Sequence, residues 1–460
     1  MRPALLFIPL AACATVAAQT NSTNAAEIPH ALPSSPPTAP ETVAIKNATL
    51  MTATGDVIQR GVIVLQNGII TAVGLEGTPI PEGARVIDGT GRFVTPGLID
   101  AHSHMGVYPA PMSVGNDDGN EITNPVTAEV QAVHSFWPQD PQLTRAIAGG
   151  ITTALILPGS ANLIGGRGFS IKLKLNGRTA DDYRFPGAKD VLKMACGENP
   201  KRSYFLERKA APGTRMGNVA GYRTAWIAAA DYRRKWEAWN KDKKGDPPLR
   251  DLKLETLAGV LAGEILVENH CYRADEMAVM IQLSHEFGYH IRAFHHAVEA
   301  YKLRDVLAKE NIGVATWADW WGFKMESYDG IPENAALVSS VPGGHAIIKS
   351  DSPDGIQRLN QEAGKAMYAG RAAGIDVSED EALRWITANP AWALGVEDRT
   401  GTLTVGKMAD VVVWSGSPFS IYSRAQLVFV DGQLAYDRGH PETTPTMDFD
   451  LGQAGSEVLQ

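Results

Sequence analysis

From Val43 onward the chain opens with short runs in which apolar and polar residues alternate: 43–50, 57–66 around a turn at Gly61, 68–73 and 85–88. Successive side chains of a strand face opposite ways, so a period of two predicts strands, here separated by the Gly, Asn and Asp residues that hairpin turns need. The same texture returns at 401–405, 409–414 and 427–436. Two β-rich ends around one long middle predict a small β-sandwich built from both the N- and C-terminal segments, residues 43–95 and 399–438.

Between them the period changes. Apolar runs at 93–100, 152–157, 191–195, 264–269, 290–294, 313–316 and 346–350 alternate with helical patterns at 252–261, 274–287, 299–310, 360–373 and 378–386. Strand–helix alternation predicts βα units around a parallel sheet. The fold class expected is therefore α/β, with a (β/α)8 TIM-like barrel over residues 96–398. Chemistry in such a barrel sits where strands end, so the polar residues just beyond each apolar run matter most.

The ends of the chain read differently. Residues 1–19, with Arg2, an apolar stretch and small residues after it, read as a signal peptide, which sends the protein to the bacterial periplasm. Two processing routes stand: cleavage after Val16-Ala-Ala18, or a lipobox at Leu10-Ala-Ala-Cys13 that would anchor the chain by a lipid on Cys13. Residues 20–42 are Pro-, Ser- and Thr-rich and read as a disordered tether, and 439–460 as a loose tail. No later stretch is apolar for the roughly 18 residues a membrane span needs. The net charge of −9 with no basic block excludes a nucleic-acid partner, which would demand a Lys/Arg field. Apart from Cys13, only Cys196 and Cys271 remain, too few for a disulfide framework, and both read as buried small residues beside the site.

The strongest chemical signal is Thr95-Pro-Gly-Leu-Ile-Asp-Ala-His-Ser-His104. Residues two apart on a strand share a side, so His102 and His104 can offer two imidazoles to one cation at a barrel mouth. Zinc, manganese and nickel all accept neutral imidazole. A bare His-x-His would more often be a packed or surface pair, but this flanking sequence is far more specific. There is no Gly-x-Ser-x-Gly elbow, and Gly165-Gly-Arg-Gly168 lacks the Lys-Ser/Thr of a phosphate-binding loop.

At these residues the chain resembles the amidohydrolase superfamily, and within it the imidazolonepropionase-like metal-dependent hydrolases. The resemblance runs through Ala148-Gly-Gly-Ile-Thr-Thr153, Pro158-Gly-Ser-Ala-Asn-Leu-Ile-Gly-Gly-Arg-Gly168, Leu192-Lys-Met-Ala-Cys-Gly-Glu-Asn-Pro-Lys-Arg202 and His270-Cys-Tyr-Arg-Ala-Asp275. It continues in His296, Glu299-Ala-Tyr301, Thr387-Ala-Asn-Pro390, Gly395-Val-Glu-Asp-Arg-Thr-Gly401 and Gly406-Lys-Met-Ala-Asp-Val-Val-Val-Trp414, covering about residues 43–438. It implies a divalent metal, zinc first among them, as one or two ions held by His102, His104, His270, His296 and Asp351. His295 should point away from its neighbour on a strand, and the family pattern selects His296 as the ligand. Asp351 would be the general base, taking a proton from water and returning it to the leaving nitrogen. The ligand shared between two ions is either Glu198, the first choice because it needs no modification, or a carboxylated Lys193.

Substrate contacts are expected from Asn162, Arg167, Tyr272, Arg273 and Trp317. Arg273 could instead pair with Asp275, and the aromatic loop of Trp317, Trp320, Trp321, Phe323 and Tyr328 could wall the pocket or cover an oligomer contact. The partner expected is a small molecule with a C–N bond: an amide, a cyclic amide, or a dipeptide or N-acyl amino acid. A heterocycle deaminase is the alternative enzyme, and a non-catalytic metal-stabilised binding protein or inactive scaffold the reading from another class; assembly as a homo-oligomer is left open.

Overall fold

The computed structural model describes residues 41–441 except Asn176 and Trp321. The expected signal peptide, most of the tether, the Cys13 anchor and the end of the tail lie outside these residues. In chain order the strands are β1 (Val43–Met51), β2 (Val57–Gln66), β3 (Ile69–Gly74), β4 (Arg85–Asp88), β5 (Phe93–Pro96), β6 (Leu98–Ser103), β7 (Ile151–Ile156), β8 (Ile164–Lys172) and β9 (Val191–Ala195). They continue as β10 (Leu266–Cys271), β11 (Ala293–His296), β12 (Gly313–Thr316), β13 (His345–Ile348), β14 (Val411–Trp414), β15 (Ala425–Val430) and β16 (Gln433–Asp437).

The two β-rich ends do pair. They form one hydrogen-bonded sheet in the order β16-β15-β14-β5-β1-β2-β3, with β4 also on β1. The seam is β5 against β14, where Trp414 Nε1 donates to Thr95 Oγ1 at 2.9 Å. A register shift between Ile45 and Ala48, with Asn47 at a φ of 61°, lets the first half of β1 pair with β4 and its end with β5. Gly61 is not a turn. It lies inside β2 opposite Ala48, where a Cβ would stand 2.7 Å from the Leu50 side chain.

The central sheet runs β6 to β13 in sequence order. It departs from an all-parallel barrel at one place: β8 is antiparallel to both β7 and β9. Asn162, Gly165-Gly166 and Arg167 read from the sequence as a loop after a barrel strand, but Ile164–Lys172 is a strand. Those glycines are instead close-approach positions in a strand; a Cβ on Gly166 would meet Val130 and one on Gly168 the Ile156 carbonyl. The ring is drawn together at the mouth, where Asp351 N–H donates to the His102 carbonyl at 3.0 Å.

The longest helix, Arg215–Asp242, was not expected from the sequence. Thr214 caps it, and its buried residues Asn218, Tyr222, Ala225, Trp226, Ala229 and Tyr232 recur at helical spacing. Trp226 is fully buried and stacks on Tyr289, ring centroids 4.4 Å apart. The sheet is locked to the barrel by Lys172, a fully buried cation on β8 that pairs with Asp410 at 2.9 Å and with Asp431. A buried pair of this kind is costly to break from one side.

Cys196 and Cys271, read from sequence as separate buried thiols, are joined as a disulfide with Cα atoms 5.3 Å apart. The parallel pairing of β9 with β10 carries both cysteines to the same level at the strand ends, a proximity that 75 residues of separation hides.

Replacing Trp226 by Ala should lower stability by about 3–5 kcal/mol, the usual cost of emptying a large aromatic site, seen as an earlier denaturant midpoint. A non-reducing peptide map should recover the Cys196 and Cys271 peptides as one cross-linked species that reduction separates; two free-thiol peptides would contradict the pairing.

Candidate metal centre

β6 is buried along its whole length and delivers His102 and His104 to the barrel mouth. Its end is held by carboxylates that make no direct approach to the centre. Buried Asp100 accepts from the backbone N–H groups of His102 and Ser350, both at 3.1 Å, and from the Ser350 hydroxyl, tying β6 to the segment after β13. Burial lifts the Asp100 carboxyl to about 6 against those hydrogen bonds. Buried Asp140 accepts from Gly106 N at 2.7 Å, Gln142 N at 3.0 Å and Ala110 N at 3.3 Å, which fixes the loop after His104.

Three donor atoms converge. His102 Nε2 lies 3.3 Å from His104 Nε2, and Asp351 Oδ1 is 3.4 Å from the first and 3.2 Å from the second. Ligands about 2.0–2.2 Å from a shared zinc ion keep separations of this size. His104 Nδ1 donates to the Leu157 carbonyl at 2.7 Å, so its Nε2 carries the lone pair. Burial, followed by the charge of Lys193, pushes the His102 pKa well below its usual value, so the ring is neutral. Burial would raise Asp351, but the Lys349 ammonium 3.2 Å from its Oδ2 outweighs it and keeps the carboxyl ionised. The residues fit a divalent cation.

His270 and His296 stand beside this set with ring centroids 4.3 Å apart. Both are 2% exposed, and both His270 ring nitrogens and His296 Nε2 are buried without a hydrogen-bond partner. Orphaned imidazole nitrogens inside a protein are costly unless something ligates them. Donor atoms of His102, His296 and Asp351 all fall within 4.8 Å of one another. Lys349, fully buried, places Nζ 2.9 Å from His296 Nδ1 and 3.2 Å from Asp351 Oδ2, and burial lowers its pKa to about 8. Sequence reasoning did not single out Lys349. Its position two residues before Asp351 was the available signal.

The alternation argument for His295 needs correction. His296 and Ala297 adopt φ values of 69° and 39°, so the backbone leaves the extended form and both histidines turn inward. His295 is fully buried at 2.8 Å from His102. Asp351 also has a positive φ, 53°. Strained backbone at the end of two barrel strands puts side chains where regular strands would not.

Lys193 and Glu198 are placed differently. Lys193, on β9, is fully buried, and burial lowers its pKa to about 7. Its charge is felt by His102, His270, His295 and His296. Glu198 is part-exposed at the start of the turn after β9, 3.4 Å from Lys324, with its N–H on Glu326 Oε1 at 2.7 Å. Lys193 Nζ donates to the Pro158 carbonyl at 3.0 Å, so its amine is buried at the strand ends while Glu198 stands part-exposed.

Of the expected substrate contacts, Tyr272 and Trp317 line the centre. Tyr272 stacks parallel on His296 at 4.9 Å, and Trp317 lies 4.6 Å from the same ring. Trp320 stacks on Trp317, and Phe323 packs against both Trp317 and Tyr272. Trp321 is outside the described residues. The other three contacts are turned elsewhere. The Asn162 amide is spent on Glu121 O, Asn124 O, Thr127, Tyr204 and Asn120, holding the 120–127 loop. Arg167 faces Thr256 and Asp190, the latter just before β9 begins and so away from the mouth. Arg273 is forked onto Asp275 by both its Nε and a terminal nitrogen.

Comparison with known proteins agrees with this geometry. A model described as the amidohydrolase family matches residues 343–436. Over 403 residues the chain is 34% identical to Amidohydrolase tasK of Hapsidospora irregularis, covering 82% of this chain but only 40% of that longer protein. It is 24% identical over 406 residues to an imidazolonepropionase of Mesorhizobium japonicum, 78% of this chain and 87% of that one. The crystal structure of an amidohydrolase from Thermotoga maritima MSB8 superposes with a TM-score of 0.79 at 37% identity, over 86% of this chain and all of that one. The chain therefore belongs to the amidohydrolase family of hydrolases acting on carbon–nitrogen bonds.

Proposed function

We propose that this protein is an exported, zinc-dependent amidohydrolase that cleaves the amide bond of a dipeptide or N-acyl amino acid. The observation that carries the reading is the meeting of His102 Nε2, His104 Nε2 and Asp351 Oδ1 within 3.4 Å. A divalent cation held there would polarise the substrate carbonyl and make water acidic enough to attack near neutral pH.

The rest is done by the protein's own groups. Asp351, ionised and 19% exposed at its side chain, takes the water's proton and later gives it to the departing nitrogen. His104 and His102 face its Oδ1, and Lys349 donates to its Oδ2. Tyr272 and Trp317 exclude solvent from one flank and offer an apolar surface to the residue next to the scissile bond. Lys193 would supply the remaining anionic ligand: its neutral amine would add carbon dioxide and lose a proton to become a carbamate. Full burial, which pushes the Lys193 amine down to about 7, supports this over Glu198, which already faces Lys324. Export is supported by the Cys196–Cys271 disulfide, which belongs to oxidising compartments. No helix among the described residues is long and apolar enough to cross a membrane.

Zinc-loaded protein assayed against dipeptides, N-acyl amino acids and lactams should turn over members of the first two groups. Asp351→Asn should lower kcat by roughly 10²–10⁴-fold while keeping bound zinc; full activity in that variant would overturn the role. Protein equilibrated with ¹³C-bicarbonate should show a carbamate resonance in ¹³C NMR that Lys193→Arg abolishes and Glu198→Gln leaves in place. A signal unchanged in Lys193→Arg would exclude the modification.

A further inference from the structure

We propose that Glu268 and His295 form a two-step buried relay that sets which nitrogen of His102 carries its proton, making both of them positioning residues of the metal centre. The inference rests on the metal-centre reading above and extends it to residues that bind no metal.

The geometry is a chain of three fully buried side chains from three strands. His295 Nε2 lies 2.7 Å from Glu268 Oε2 on β10. His295 Nδ1 lies 2.8 Å from His102 Nδ1 on β6. A neutral imidazole carries one N–H and one lone pair, so each ring passes a direction along the chain. With Glu268 as terminal acceptor, His295 donates from Nε2 and keeps a lone pair on Nδ1. His102 then donates from Nδ1, and its Nε2 presents a lone pair toward His104 and Asp351. Reversing the chain puts a proton on His102 Nε2, in the space where the three donors meet, and a ring protonated there cannot ligate. A cation at Nε2 repels that proton and favours the first direction.

His104 needs no such device, because a backbone carbonyl that can only accept fixes its tautomer. His102 has no carbonyl partner for Nδ1. Its partner is another imidazole, which has no preferred direction of its own; an ionised Glu268, which can only accept, supplies one. The left-handed turn at His296 and Ala297 makes the arrangement available, since it lets His295 and His296 both face the centre from consecutive positions.

The test uses the full chain with Glu268→Gln, which keeps shape but can point its amide either way, and His295→Phe. Zinc affinity is measured by competition with a chromophoric chelator, and the unfolding temperature on metal-free protein. Glu268→Gln should bind zinc about 10–100-fold more weakly, the usual range for groups that orient a metal-ligating histidine. Its metal-free unfolding temperature should match wild type, and saturating zinc should recover most of kcat. The double variant should be no weaker than His295→Phe alone, since the two act in series; if His295→Phe fails to fold, Glu268→Gln decides the matter. Wild-type zinc affinity in Glu268→Gln overturns the relay while leaving the metal centre intact. Wild-type protein that binds no divalent metal overturns the centre itself, and the relay with it.

Discussion

The structure turns on one electrostatic problem: two imidazole nitrogens, His102 Nε2 and His104 Nε2, face each other at 3.3 Å with a carboxylate oxygen closing the triangle. Electron pairs pressed together inside a barrel repel one another unless positive charge is shared among them. Every feature around the mouth helps to sustain that arrangement. Burial keeps the His102 ring neutral, and Lys349 adds positive charge that keeps Asp351 ionised. Asp100 and Asp140 hold the two flanks of β6 through backbone amides. The catalytic geometry is thus a property of the strand ends together, and no one element could impose it.

Backbone strain is the second ingredient. His296 and Asp351, on different strands, both adopt positive φ, a conformation that costs about 1–3 kcal/mol for a residue with a side chain. The cost is met by the surrounding pairing: Asp351 N–H is held by the His102 carbonyl and Ala297 N–H by the Cys271 carbonyl. The Cys196–Cys271 disulfide ties together the ends of β9 and β10, the two strands that carry Lys193 and His270. Rigidity at the rim and strain at the ligands therefore belong to one design, in which tight connections hold costly side-chain positions.

Much of this was legible in the sequence. The His-x-His after an apolar run, the period-two texture at both ends and the strand–helix alternation between them led to the barrel, to the sheet shared by both termini and to a compact set of candidate ligands. What stayed hidden had physical reasons. Alternation along a strand could not foresee that His295 turns inward, because the rule assumes extended backbone up to the last residue. Glycines in β8 read as part of a loop, because sequence shows their freedom but not the neighbours that require a missing Cβ. Glu198 was preferred over Lys193 because it needs no modification and lies just past the strand; that Lys193 is fully buried and Glu198 part-exposed is visible only in three dimensions. The helix Arg215–Asp242 could have been found: its tyrosines, tryptophan and alanines recur at helical spacing, but few of them are aliphatic, and the stripe is easily passed over.

The most direct test of the central claim is anomalous diffraction at the zinc edge from crystals of the zinc-loaded protein. The account predicts a peak at the barrel mouth within about 2.0–2.2 Å of His102 Nε2, His104 Nε2 and Asp351 Oδ1. Full zinc loading with anomalous density only at surface sites, and none between those three atoms, would contradict it.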